Sequence, residues 1–286
     1  MTRRKKKNSL IKNFEQLKTR AVTVSWFTVV LAILFFIGRY VIDDASANET
    51  ITENDSLGLE QVNLPAGMEN AVCRYKGFTV YFNPKYHIPN CVIYELTAEK
   101  TQGTLPRTKN FEADENVKGC AQPSDYQYSG YDRGHMTPAG DMKWDAQAMQ
   151  ESFYMTNICP QVKSLNTGAW NSLEGRVRQW AKRDGALMVA TGPILGSTMP
   201  TIGGKAGIAV PPKFYKIILA HKANPVRAIA FIYDNEKSGT PLSKHVVSVD
   251  DVERATGIDF FASLPDDIED RVESVSDLKQ WDVRAK

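Results

Sequence analysis

The hydrophobic and polar positions divide the chain into an apolar segment, a polar segment and a long stretch with the mixed pattern of a folded domain. Residues 21–38 contain no charge, and apolar side chains resume at 40–42. A span of about 20 apolar residues is long enough to cross the hydrocarbon core of a bilayer. Residues 43–68 are mostly polar and have neither aromatic side chains nor a period, which is typical of a linker. We therefore expect the folded domain to occupy residues 69–286.

This folded part contains more predicted strands than predicted helices. β-Branched and aromatic runs bounded by turn residues predict strands at 77–83, 91–97, 186–194, 213–220 and 226–234. Capping residues and glycine stops predict helices at 145–153, 166–185 and 248–257, with an acidic helical tail from Pro265. Strands and helices do not alternate strictly. We predict an α+β fold with a mainly antiparallel β-sheet and packed helices, preceded by one transmembrane helix.

The helix predicted at 166–185 is amphipathic. At 100° per residue, one stripe of its surface collects the apolar side chains of Trp170, Leu173, Val177, Trp180 and Ala181. Glu174 and Arg178 lie on the flank of this stripe, four residues apart. Taken alone, such a pair is typical of an ion pair on a helix surface. Taken alone, an asparagine such as Asn166 at the predicted start of a helix is typical of a helix cap.

The apolar N-terminal segment has two competing interpretations, a cleaved signal peptide and an uncleaved signal-anchor helix. A cleaved signal peptide has an apolar region of about 7–15 residues, shorter than the run found here. We favour a transmembrane signal-anchor at 21–42, since so long a run without a polar face also argues against a buried core helix. Residues 1–20 carry eight Lys or Arg and one acid, Glu15, so this end is expected in the cytoplasm. The domain would then lie in the periplasm or the extracellular space, and it would be secreted if the segment is cleaved.

Charge limits how such a domain can bind nucleic acid. Without the first 44 residues, the 35 Lys and Arg fall to 26 and the 33 Asp and Glu fall to 30, which leaves a net charge of about −4. The overall charge therefore does not attract polyanions. Any affinity for nucleic acid must come from a local basic patch or from a bound cation.

All four cysteines, Cys73, Cys91, Cys120 and Cys159, follow the apolar segment. An even number outside the cytoplasm permits two disulfides, in three possible pairings that the sequence does not distinguish. Free buried thiols are the other possibility. The spacing contains no CxxC pair, which argues against a structural zinc site.

A small set of polar residues supplies the groups that phosphodiester hydrolysis needs. The stretch YDRGHMTPAGD contains Arg133 and His135, and the amphipathic helix adds Asn166, Glu174 and Arg178. Histidine can take a proton from water near neutral pH. An amide oxygen can hold a hard cation such as Mg²⁺, which neutralises charge on the phosphate and the leaving oxygen. Arginine suits the phosphate oxygens geometrically.

Four blocks carry a resemblance to a known family: DRGH (132–135), FYMTNICPQ (153–161), LNTGAW (165–170) and LEGRVR (173–178). Their order and spacing resemble those of the DNA/RNA non-specific endonucleases, which have a ββα-metal site and include mitochondrial endonuclease G. The resemblance extends from about residue 75 to 256–261. It implies a ββα-metal catalytic motif within the α+β domain.

The resemblance implies a role for each matching residue. His135 is similar to the general base, Asn166 to the direct Mg²⁺ ligand, and Glu174 to a carboxylate that holds metal-bound water. Mn²⁺ could replace Mg²⁺. Other matching positions are Arg133 and Arg178 near the scissile phosphate and Asn157 as an amide that supports the site. Asp132 is expected to be structural and to hold the turn. A positive groove could be completed by the basic residues Lys163, Arg176, Lys182 and Arg183.

The predicted function is therefore metal-dependent hydrolysis of phosphodiester bonds in DNA and RNA. Backbone contacts without base readout would make cleavage largely indifferent to sequence and sugar. The alternative is an exported protein that binds or imports nucleic acid on a degenerate nuclease scaffold, and a phosphodiesterase for small nucleotides is a narrower enzyme alternative. A degenerate scaffold should have lost His135, Asn166 or Glu174, and all three are present. The oligomeric state is left open.

Overall fold

The computed structural model describes residues 58–237 and 239–281. The predicted basic segment 1–20 and the predicted membrane span 21–42 lie outside the described residues. Within the described part, no helix combines the length and the apolar character needed to cross a bilayer. The membrane anchor therefore stays a prediction.

The regular elements are mostly strands, as expected. In chain order, the strands are β1 (Val62–Asn63), β2 (Ala71–Arg74), β3 (Thr79–Asn83), β4 (Ile88–Thr97), β5 (Asp132–His135), β6 (Ile158–Gln161), β7 (Ala186–Ile194), β8 (Thr201–Ile202), β9 (Ile208–Ala209), β10 (Lys213–Ala220), β11 (Arg227–Asp234), β12 (Val246–Val247) and β13 (Asp259–Phe260). The longer helices are α1 (Ala146–Glu151), α2 (Asn171–Asp184), α3 (Val249–Thr256) and α4 (Asp266–Glu273). A helical turn (Lys163–Leu165) and a π-helical turn (Asn166–Trp170) lead directly into α2.

A seven-stranded antiparallel sheet forms the centre of the domain. Its strand order is β12-β11-β10-β7-β4-β3-β2. The predicted mainly antiparallel sheet is confirmed, and β7 and β10 have the predicted boundaries. Strand β4 starts before the predicted run because Asn83 closes a short turn: its Oδ1 accepts hydrogen bonds from the backbone N–H groups of Lys85 and Tyr86.

Alternating side chains of the sheet build two cores, one on each face. On β10, Phe214 and Ile218 belong to one core, whereas Tyr215 and Ile217 belong to the other. The predicted stripe of α2 packs into the first core, where Trp170, Leu173, Val177, Trp180 and Ala181 are all buried. Helices α3 and α4 cover the second core with Val249, Val252, Ile268 and Val272.

The predicted linker at 43–68 is wrong for its C-terminal end. Val62 and Asn63 form β1, which pairs with Phe260 and Asp259 of β13. Leu59 is fully buried in the second core. Leu64 packs against the same core, so residues 58–68 belong to the folded part.

The structure decides between the two possibilities for the cysteines. All four are free thiols, and Cys91 and Cys159 are completely buried. Burial raises the pKa of Cys91 to about 12, so this thiol stays protonated at neutral pH. These cysteines act as small core residues.

Candidate active site

The DRGH stretch is the first strand of a separate two-stranded sheet. Strand β5 pairs antiparallel with β6, and His135 lies opposite Ile158. Successive side chains of a strand alternate between faces, so Arg133 and His135 share one face. Gly134 lies on the other face against Gln161, where a Cβ atom would come within 2.4 Å of the Gln161 Oε1. Glycine is therefore needed to bring the two strands together behind the histidine.

The His135 imidazole is packed among aromatic rings. It is 7% exposed, and the ring centroids of Phe111 and Phe153 lie 5.3 and 4.7 Å from its own. Its Nε2 has no hydrogen-bond partner among the described residues. Burial, together with the positive charges of Arg107 and Arg133, lowers the pKa of His135 to about 3. The imidazole is thus neutral at pH 7 and can accept a proton.

Asn157 holds the chain that follows the histidine. Its Oδ1 accepts from the Thr137 N–H at 2.9 Å, and its Nδ2 donates to the carbonyls of Thr137 and Ser152. The side chain is completely buried and does not line the pocket described below. The prediction that Asn157 supports the geometry agrees with these contacts, but they do not make it a catalytic residue.

Asn166 is not the N-cap of the site-bearing helix. The helical turn Lys163–Leu165 precedes it, and Asn166 begins a π-helical turn in which Gly168 has the non-helical angles φ −104° and ψ −108°. Its Nδ2 donates to the Asp132 Oδ2 at 2.9 Å. This bond occupies the nitrogen end of the amide and leaves its carbonyl oxygen available for another ligand. Asp132, predicted to hold the turn, also links strand β5 to this amide.

One pocket of about 350 Å³ brings most of the predicted site together. Its lining includes His135 and Asn166, the two residues on which the predicted chemistry depends. The other predicted residues in its wall are Arg133, Glu174 and Arg178. The chain from β5 through β6 to α2 therefore forms the ββα arrangement that the resemblance implied.

Arg178 has a different partner from the one that helix spacing suggests. Its Nη1 donates to the Asp141 Oδ1 at 2.7 Å. The other Asp141 oxygen accepts from the Tyr94 hydroxyl, also at 2.7 Å, and the Asp141 side chain is completely buried. The surface pair of Glu174 and Arg178 is thus replaced by a bridge from the central sheet to the pocket. Gly140 leaves room for it, because a Cβ there would lie 2.9 Å from the Arg178 Nη1.

A buried lysine lies under the site. Lys216, in the middle of β10, is completely buried, and its Nζ has no hydrogen-bond partner among the described residues. The Nζ lies 4.7 Å from the ring centroid of Trp170. Burial raises the pKa of Glu174, and the positive charge of Lys216 acts in the opposite direction. Lys216 is therefore the buried countercharge of this carboxylate.

Arg176 does not line the pocket, and its predicted role in binding substrate stays a prediction. It is exposed, and two residues along a helix it lies about 200° around the axis from Glu174. At the C-terminal end of α2, Arg183 is engaged elsewhere: it pairs with Asp184 at 2.7 Å and lies over the Trp281 ring. The predicted positive groove is therefore shorter at this end.

Three residues of the site were missed by sequence reasoning. Arg107 lines the pocket from a loop far from the motif blocks, and nothing in its neighbourhood indicates this. Asp141 closes the YDRGHMTPAGD stretch, where it is the only acid after the histidine. Lys216 interrupts the apolar strand KFYKIILA, and a lysine in the centre of such a run is the one signal that could have drawn attention to it.

Comparisons with known proteins show the family of this chain. A family model described as DNA/RNA non-specific endonuclease matches residues 55–267, and the chain belongs to this family. Human mitochondrial nuclease EXOG is 32% identical over 227 residues, which cover 72% of this chain and 61% of that protein. The mitochondrial nuclease of Saccharomyces cerevisiae is 34% identical over 212 residues, 66% of this chain and 64% of that protein.

A solved structure supports the same fold. A chain in the crystal structure of the EndoG/EndoGI complex is 29% identical, with a TM-score of 0.67. The match covers 76% of this chain and 95% of that chain. By contrast, the chain matches only about three fifths of the length of the EXOG relatives. The activity of those whole proteins is therefore carried to this chain only as a proposal.

Proposed function

We propose that this protein is a metal-dependent endonuclease that hydrolyses phosphodiester bonds in DNA and RNA. The observation that carries the proposal is one pocket shared by a neutral imidazole, whose Nε2 has no partner among the described residues, and an amide whose nitrogen end is occupied by Asp132. These two groups come from separate elements, β5 and the π-helical turn. Family membership supports the same reaction class.

His135 is the general base in this proposal. Its pKa of about 3 in the free protein would make it a weak base. Two of the causes are the charges of Arg107 and Arg133, which a bound phosphodiester would offset. Substrate binding should thus raise the basicity of the imidazole when a water molecule must be deprotonated. The aromatic rings of Phe111 and Phe153 restrict the orientation of the imidazole.

The donor groups of the pocket fit a hard divalent cation, Mg²⁺ or Mn²⁺. The carbonyl oxygen of Asn166 would hold it directly, and the Glu174 carboxylate would hold its water ligands. When bound, such an ion neutralises the charge that develops on the phosphate and on the leaving oxygen. Asp132 orients the amide, and Lys216 favours the ionised form of Glu174.

Three arginines would position the scissile phosphate. Arg133 is held 4.4 Å from the ring centroid of Phe111, Arg178 is held by Asp141, and Arg107 lies in the same wall. Guanidinium groups bind phosphate oxygens in a fixed geometry. Contacts of this kind read the backbone and not the bases, so we expect cleavage with little preference for sequence or sugar.

The location of the protein in the cell is a separate part of the proposal. We propose a single-pass anchor at 21–42 that places the domain outside the cytoplasm. The names of the matched relatives instead include the word mitochondrial. Cell fractionation of the full-length chain, followed by external protease, distinguishes the two: an anchored exported domain is in the membrane fraction and is digested from outside the cell.

The activity is tested with the full-length protein in detergent, incubated with supercoiled plasmid and with RNA. We expect both to be cut in the presence of Mg²⁺ and neither with EDTA. His135→Ala should lower the rate by at least about 100-fold, the usual contribution of a general base. His245→Ala removes an imidazole outside the pocket and should leave the rate unchanged.

Two results would contradict the proposal. Full cleavage by His135→Ala would exclude this histidine as the base. A gel shift without cleavage under any divalent cation would favour the alternative, a nucleic-acid-binding or uptake protein on a nuclease scaffold. Turnover of dinucleotides but not of plasmid would instead indicate a small-nucleotide phosphodiesterase.

A further inference from the structure

A second group of acidic side chains lies on the opposite face of the central sheet. Helices α3 and α4 contact each other there, above the core that does not include α2. Helix α3 contributes Asp250 and Glu253, and α4 contributes Glu273. Val252 and Val272, on the same two helices, are buried below them. None of these residues lines the candidate active site.

The three carboxylates converge on one point. One oxygen from each of Asp250, Glu253 and Glu273 lies within 4.8 Å of the other two. Glu253 is fixed in place, because its Oε1 accepts a hydrogen bond from the Phe260 N–H at 2.8 Å. The cluster is therefore held by both helices and by strand β13.

Glu273 is the independent observation that points to a ligand. Its side chain is only 5% exposed, and its Oε1 has no hydrogen-bond partner among the described residues. A buried carboxylate without a partner is costly, so such groups are normally paired, protonated or bound to a metal. Within the described part of the chain, none of the three carboxylates forms an ion pair with Lys or Arg; Arg254 pairs with Asp251 instead.

The electrostatic surroundings make a bare cluster unfavourable. Burial raises the pKa of Glu273 to about 9, and four neighbouring carboxylates add to the effect: Glu253, Glu269, Asp250 and Asp259. Like charges this close cannot all ionise unless a cation neutralises them. The molecule thus has two possible states here, a protonated Glu273 or a cation among the carboxylates.

We propose that Asp250, Glu253 and Glu273 bind a divalent cation of the size of Ca²⁺, which joins α3 to α4. Oxygen ligands lie about 2.3–2.6 Å from Ca²⁺, so two ligands on opposite sides are at most about 5 Å apart. The observed spacing fits within this limit. Opposite ligands of Mg²⁺, at about 2.1 Å each, lie at most about 4.2 Å apart, so the Ca²⁺ range covers the full spacing of this cluster and the Mg²⁺ range does not. Water would complete the six to eight ligands that Ca²⁺ takes, since Asp250 and Glu253 are partly exposed.

The test is thermal unfolding of the full-length protein, first stripped with EDTA and then supplied with Ca²⁺, Mg²⁺ or Mn²⁺. A ligand that binds only the folded state should raise the Tm by roughly 5 °C or more at saturation. Glu273→Gln should abolish the Ca²⁺-dependent shift while keeping the shape of the side chain. Asp267→Asn, which removes an exposed acid from the same helix, should keep the shift and is the matched control.

The catalytic pocket could also bind cations, so its contribution must be removed. Asn166→Ala should retain the Ca²⁺ shift and bind one Ca²⁺ per chain by calorimetry, and adding Glu273→Gln should eliminate that binding. If Glu273→Gln does not fold, Asp250→Asn replaces it with the same expectation. No Ca²⁺ shift in the unmodified protein, or an undiminished shift in Glu273→Gln, would overturn the proposal and indicate a buried protonated Glu273.

Discussion

The side-chain amide of Asn166 donates to the carboxylate of Asp132 at 2.9 Å, and this bond links strand β5 to the π-helical turn that leads into α2. The two residues are neighbours in space although 34 positions separate them in the chain. The carboxylate determines which end of the amide is free. Because the nitrogen of the Asn166 amide is bonded to Asp132, its oxygen is the end that is available to a ligand.

Asp132→Ala should weaken the apparent affinity for Mg²⁺ by about 10- to 100-fold, the usual cost of removing a group that orients a metal ligand. We expect the Mg²⁺ concentration needed for half-maximal cleavage to rise. The rate at saturating Mg²⁺ should change less than this concentration does. Cleavage rates measured across a Mg²⁺ titration check this. Asp125→Ala, which removes another acid before the motif, is the control. An unchanged Mg²⁺ dependence would show that Asp132 does not orient Asn166.

Asp141→Ala should cost stability as well as activity. The substitution leaves the Tyr94 hydroxyl and the partly buried Arg178 without their partner. Breaking a buried charge pair from one side costs about 3–5 kcal/mol, and the partial exposure of Arg178 places the expectation at the lower end. Denaturant unfolding measures this loss. Tyr94→Phe removes only one hydrogen bond and should cost about 1 kcal/mol; equal losses for the two variants would contradict the proposed bridge.

Substitutions of Arg107 and Arg176 test whether the substrate passes over the pocket or over the exposed face of α2. Only Arg107 lines the pocket, although both are exposed arginines. Arg107→Met should raise the KM for plasmid severalfold and reduce the salt dependence of binding by about one phosphate contact. Arg176→Met should change neither quantity. Equal effects of the two substitutions would place the substrate path along the exposed face of α2.

The fold was largely predictable because its signals are local. β7 and β10 are apolar runs bounded by turn residues, and the stripe from Trp170 to Ala181 follows directly from helical periodicity. The end of the linker was not predictable, since Leu59 and Val62 are only two apolar residues whose partners, such as Phe260, lie about 200 positions away. Local pattern does not show long-range pairing.

The site was predictable only where the motif blocks reach. They indicated His135 and Asn166, which do share a pocket. They did not indicate Arg107, Asp141 or Lys216, because each acts through a contact made in three dimensions: Arg107 across the pocket, Asp141 on Tyr94, and Lys216 from the sheet below α2.

Lys216→Met should move the acidic limb of the pH–rate profile to higher pH. Burial raises the pKa of Glu174 and Lys216 lowers it, so removing the lysine leaves the carboxylate protonated over a wider pH range. The rate at pH 6 should fall more than the rate at pH 8.5, measured at saturating Mg²⁺. Lys213→Met, on the same strand but exposed and paired with Asp234, is the control and should have the profile of the unmodified protein. An acidic limb that does not move would exclude Lys216 as the countercharge of Glu174.

His135 should make the folded state sensitive to mild acid. Its pKa is about 3 in the folded protein and about 6.5 in the unfolded chain, so above pH 6.5 neither state binds the proton. As the pH falls below 6.5, the unfolded chain gains a proton that the folded protein does not, and stability is lost until about pH 3. One such group lowers the free energy of unfolding by about 2 kcal/mol between pH 7 and pH 5. His135→Phe should remove this part of the loss. Denaturant unfolding at the two pH values measures the difference; the same loss in His135→Phe as in the unmodified protein would mean that burial and the two arginines do not lower the pKa of His135 in the folded protein.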